Sequence, residues 1–81
     1  MNLKRSPAAS PVSTLVDAVM DGYVDWREES AAVELAYRRW AQAPSSDREV
    51  AFDVYRAALD REESAAREYR RLIEHAEAAQ R

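Results

Sequence analysis

Residues 12–40 read VSTLVDAVMDGYVDWREESAAVELAYRRW, and their apolar spacing decides the fold. Val12, Val16, Val19, Tyr23, Trp26, Ser30, Val33, Tyr37 and Trp40 follow one another at alternating intervals of four and three. A strand would repeat every second residue. This spacing is a helical seam, with Ser30 its one polar member. Upstream, Ser10 is a suitable N-cap and Pro11 a suitable first helical residue. Downstream, Pro44 biases Ala43 away from helix. The spacing predicts a helix over 11–42.

A second helix follows. Ser46-Asp47-Arg48-Glu49 fits a capping box, in which the Ser46 hydroxyl accepts from the Glu49 amide and the Glu49 carboxylate reaches back. The seam then runs through Ala51, Tyr55, Ala58, Glu62, Ala65, Tyr69, Leu72 and Ala76, widened by Phe52, Leu59, Ala66 and Ile73. This predicts a helix over 47–80 and a turn at 43–46. Residues 1–9 read as a disordered tail, leaving 10–81 as a single domain. The expected fold is all-α: two long antiparallel helices, each about 50 Å long at 1.5 Å per residue, forming an αα-hairpin. The charges favour that direction. Asp17, Asp21 and Asp25 come early in the first helix, and folding back sets them near Arg67, Arg70 and Arg71 of the second. Gly22, the only glycine, suits a close approach of the two backbones.

One hairpin buries only the stripe between its helices. The aromatic residues Tyr23, Trp26, Tyr37, Trp40, Phe52, Tyr55 and Tyr69 are more bulk than one such stripe covers. With Val33, Leu59, Leu72 and Ile73 they form the expected core and interface. A separate row, Met20, Val24 and Leu35 (with Ala31), lies more than 90° round the first helix. Exposed apolar rows mark interaction surfaces, and oligomerisation is a common remedy for a thin core. The simplest closed solution is a homodimer of hairpins forming a four-helix bundle. The alternative is an adaptor or regulatory subunit that grips a different protein through Met20, Val24 and Leu35.

Composition limits the function classes. The chain has 81 residues, 33 % of them charged, and a net charge of −3. That disfavours general nucleic-acid binding, and no segment is apolar enough to span a membrane. The absence of cysteine excludes disulfides and thiolate metal sites. Lys4 and Arg5 precede no apolar stretch, so no signal peptide is read and a cytoplasmic location is expected. No Gly-rich phosphate loop is present. The sole histidine, His75, has Leu72 three residues before it instead of the Glu of bundle di-metal sites. Cofactors, metals and catalytic residues are therefore not expected.

Glu62 is the exception to weigh, since it stands where the seam calls for an apolar residue. It can pair with Arg27, or accept from Ser30 or the Trp26 indole. It can fix register, as polar seam residues do. Or it can serve as a metal or acid–base group, centring a carboxylate-based bundle site. It belongs to a repeated hexapeptide, REESAA, at 27–32 and 61–66. Folding about the turn lays the two copies side by side, each Arg facing the other copy's Glu residues, with alanines that permit close approach.

Two helical families fail on specific residues. Secreted hairpin proteins with a Trp-x-Gly turn need a glycine where this chain has Trp40-Ala41-Gln42. Helical chorismate mutases need a helix-borne lysine, and the only lysine here is Lys4. The stretches LVDAVMDGYVDWREESAAVELAYRRWAQAP (15–44) and AFDVYRAALDREESAA (51–66) resemble small uncharacterised helical-hairpin proteins of high-GC actinobacteria. That resemblance implies a hairpin and no known activity.

Overall fold

A computed structural model describes residues 11–80. The tail expected at 1–9 and the Ser10 cap lie outside the described residues, as does the Val12 side chain. Helix α1 spans Pro11–Gln42 and helix α2 spans Arg48–Ala79, joined by a 3₁₀ turn at Ser45–Asp47. The described residues contain two long helices and no strand, an all-α antiparallel hairpin.

The turn is built by Pro44. Its φ of −65° and extended ψ of 162° take the chain out of α1. The Ala43 amide still reaches back to the Trp40 carbonyl at 3.2 Å. The Pro44 carbonyl then accepts from the Asp47 amide at 2.9 Å, which closes the 3₁₀ turn. Arg48 clamps the junction, its guanidinium donating to the Ala43 carbonyl at 3.2 Å. The capping box expected from Ser46 and Glu49 does not form. Ser46 sits inside the 3₁₀ turn, so it lacks the extended N-cap geometry, and Asp47, the residue before α2, makes no side-chain cap.

The seam of α2 lies where its spacing put it. Ala58 is buried, and Ala51, Tyr55, Glu62, Ala65, Tyr69, Leu72 and Ala76 are half-buried. The seam of α1 is turned. Val19, Trp26, Val33 and Trp40 face α2, but alternate with Leu15, Gly22, Glu29, Ala36 and Ala43, while Val16, Tyr23 and Tyr37 are exposed and Ser30, like Glu29, is half-buried. The reason is steric. A pair of tryptophans and a pair of tyrosines cannot all sit at the closest line of approach, so small residues take it. At Gly22 a Cβ would stand 2.8 Å from Leu72 Cδ1 and 3.7 Å from the Tyr69 Cα. This is the one position in α1 where the absent side chain lets the other helix in.

Turning α1 moves its tyrosines to the flank. Val16, Tyr23 and Tyr37 are 46 %, 40 % and 50 % exposed, and Phe52 and Leu59 on α2 are 37 % and 38 % exposed. The only buried apolar side chains among the described residues are Ala36 and Ala58, and no large side chain among them is fully buried.

Candidate functional site

Each row beside the seam follows from one offset. On α1, Val16, Tyr23, Ser30 and Tyr37 each come one residue after Leu15, Gly22, Glu29 and Ala36. On α2, Phe52, Leu59, Ala66 and Ile73 each come one residue after Ala51, Ala58, Ala65 and Leu72. In an antiparallel pair these two rows flank the seam on the same side. Ring contacts tie that side together: Tyr23 to Tyr69 at 5.8 Å, Tyr37 to Tyr55 at 5.7 Å and Trp40 to Phe52 at 5.0 Å. The result is a face of two uncharged rows, with the Ser30 hydroxyl at its middle reaching the Glu62 carboxylate of the seam. The opposite flank carries Asp25, Arg39, Arg61, Glu68 and His75, so one side of the hairpin is apolar and the other wet.

Two aromatic triads anchor the apolar side. Trp26 stacks on Tyr69, with ring centres 5.8 Å apart and planes at 15°, and Tyr23 leans on both. Trp40 stacks on Tyr55 at 5.4 Å and 12°, with Tyr37 in the same place and Phe52 added. Offset and tilted pairs at these distances each contribute about 0.5–1.5 kcal/mol beyond area burial.

Glu62 lies between the triads. The Trp26 indole N–H donates to its Oε2 at 2.7 Å, and the Ser30 hydroxyl reaches the same oxygen at 3.5 Å. Of the partners open to it in the sequence, it takes the indole and Ser30, while Arg27 stays exposed and makes no ion pair among the described residues. Of the reciprocal pairs expected between the hexapeptide copies, one forms: Arg61 Nε reaches Glu29 at 3.4 Å. Among the described residues no arginine of α2 forms an ion pair with Asp17, Asp21 or Asp25. Arg67 and Arg71 pair within their own helix, Arg67 with Glu63 at 3.4 Å and Arg71 with Glu68 at 2.7 Å. The Arg71 guanidinium, hydrogen-bonded to both Glu68 oxygens, holds that carboxyl below its usual value, and Glu68 raises Arg71 in return.

On the wet side, Gly22, Asp25, Glu28, Glu29, Ala65 and Glu68 line a shallow groove of about 250 Å³. Among the described residues no three carboxylate, His or Cys groups come together in a way that could hold a metal ion. No helix of the described chain is long and apolar enough to cross a membrane. Met20, Val24 and Leu35, the second apolar row, stand 57 %, 49 % and 43 % exposed on the outer side of α1, beyond the aromatic face.

What the arrangement offers chemically is an exposed apolar surface with aromatic side chains along it. Sequence reasoning placed these aromatics at the core. What it missed was the separation of seam and flank, which the small residues Gly22, Ala36 and Ala43 could have signalled as a rival seam of the same period. No family model matches the chain, and no curated protein or solved structure matches it.

Proposed function

We propose that the protein is a non-catalytic interaction module that self-associates, two hairpins closing their aromatic faces into a four-helix bundle. One observation carries this reading. Among the described residues the only buried apolar side chains are Ala36 and Ala58, while Val16, Tyr23, Tyr37, Phe52 and Leu59 remain more than a third exposed along one side. A thin core beside a long uncharged face is stabilised by covering that face, and a second copy supplies a surface of the same length and character. Thermal unfolding tests it. The midpoint should rise with protein concentration, because association stabilises the folded state by mass action. Leu59→Glu, in mid-face, should abolish that dependence. A midpoint independent of concentration in the parent chain would refute the proposal.

A second reading rests on a separate observation, the exposure of Met20, Val24 and Leu35 on the outer side of α1. There the dimer would present a further row for a different protein, as an adaptor or regulatory subunit does. Val24→Glu with Leu35→Glu, outside the row of Arg27 and Glu34, should then leave the dimer intact and abolish binding of that partner. Loss of the dimer in this variant would place the row in the self-association surface instead.

A further inference from the structure

The row outside the aromatic face carries an ordered charge pattern. On α2, one step beyond Phe52, Leu59, Ala66 and Ile73, stand Glu49, Arg56, Glu63, Arg70 and Glu77, all exposed. Sign alternates strictly at intervals of seven. On α1 the matching row holds Arg27 and Glu34, also exposed, flanked by the neutral Met20 and Ala41. Glu63 is paired within α2 with Arg67, and Arg56 lies 6.0 Å from the Phe52 ring centre. Both are surface contacts that can be exchanged at little cost.

We propose that the second copy lies with its turn at the opposite end, so that α2 runs antiparallel to α2 and α1 to α1. This geometry rests on the self-association proposed above and gives it a direction. With the two-fold axis midway between Leu59 and Asp60, Glu49 meets Arg70 and Arg56 meets Glu63 of the other copy, each pair twice. With the axis of α1 midway between Ser30 and Ala31, Arg27 meets Glu34, again twice. The two centres agree to within two residues. Ser30–Glu62, Tyr23–Tyr69, Tyr37–Tyr55 and Trp40–Phe52 share one register across the hairpin, their residue numbers adding to 92. The two axis positions differ from that register by two residues, about 3 Å of helix rise, which Arg and Glu side chains span. Placing both turns at the same end would set α1 against α2. It pairs Arg27 with Glu63 and Glu34 with Arg56, but puts Met20 opposite Arg70 and Ala41 opposite Glu49. The opposed arrangement therefore matches one more kind of pair, and on α1 its axis crosses the first copy of the repeated hexapeptide.

The chain has no cysteine, so a single spin label at Ser45→Cys, in the exposed turn, is a clean probe. Pulsed dipolar spectroscopy on the labelled full chain should give an inter-label distance near 45 Å, from the helix rise either side of the axis. A distance under about 20 Å, the span of neighbouring helix ends, would overturn the opposed arrangement and leave the dimer standing. No dipolar signal at all would remove the dimer itself, and the arrangement with it. A charge exchange gives a second readout. Glu63→Arg sets like charge against Arg56 of the other copy and should weaken association about three- to tenfold. Adding Arg56→Glu should restore it. With turns at the same end, the double variant would set Arg27 against like charge at position 63 and Glu34 against like charge at position 56. Further weakening in the double variant would therefore overturn the proposal.

Discussion

The two aromatic triads are copies displaced by two heptads along each helix. Tyr23, Trp26 and Tyr69 become Tyr37, Trp40 and Tyr55, and their geometry hardly changes: tyrosine to tryptophan is 6.1 Å in one and 6.0 Å in the other, and tyrosine to tyrosine is 5.8 and 5.7 Å. Their polar surroundings differ. The Trp26 indole donates to Glu62. The position two heptads nearer the turn is Arg48, which turns to the Ala43 carbonyl, and the Trp40 indole has no hydrogen-bond partner among the described residues. Equal rings with unequal polar partners teach that heptad spacing builds the triad. Glu62 is an addition to it, which fits a register role better than a scaffolding one.

The largest expected effect tests the likeness. Trp26→Ala and Trp40→Ala should each destabilise by about 3 kcal/mol in chemical denaturation, the usual scale for deleting a large aromatic from a packed site. Costs differing by more than about 2 kcal/mol would break the equivalence of the triads. Replacement by phenylalanine then isolates the difference. Trp26→Phe keeps a ring but leaves Glu62 without its best donor, and should cost about 1 kcal/mol more than Trp40→Phe. Equal costs would mean the 2.7 Å hydrogen bond contributes nothing net.

A smaller effect is expected from Glu62→Leu. Filling the seam with an apolar group should leave stability within about 1 kcal/mol of the parent or raise it, while broadening the distribution of oligomers. A large loss of stability with a single oligomeric state would contradict a register role. The smallest effect concerns Glu68, whose partner Arg71 has no equivalent beside the second triad. Its folded-state pKa is lowered, first by the hydrogen bond from Arg71. Its stabilisation is therefore present above the unfolded carboxylate value and lost as pH falls through the lowered one. The midpoint difference between Glu68→Gln and the parent should shrink on acidification through that range, and a difference that grows would reverse the assignment.

Much of the fold was legible because helices declare themselves by period. The break at Pro44 bounds α1, and the α2 seam from Ala51 to Ala76 holds residue for residue. The rotation of α1 was harder to read. Two rows of the same period run beside one another, and hydrophobicity favours the one with tyrosines. Close approach favours the one with Gly22 and Ala36, and steric fit decides. The capping box failed for a related reason: Ser46 and Glu49 have the right spacing, but Pro44 had already committed the chain to a 3₁₀ turn. Of the site, the partners of Glu62 could be narrowed to a few because the hexapeptide copies fold to one level. Choosing among them needed the indole's position, which no spacing supplies.

Closure of the aromatic face by a second copy is tested most directly by light scattering on the full chain after size exclusion. The expected mass is about twice the 9.2 kDa of one chain. A fully helical, cooperatively unfolding species of 9.2 kDa would contradict it.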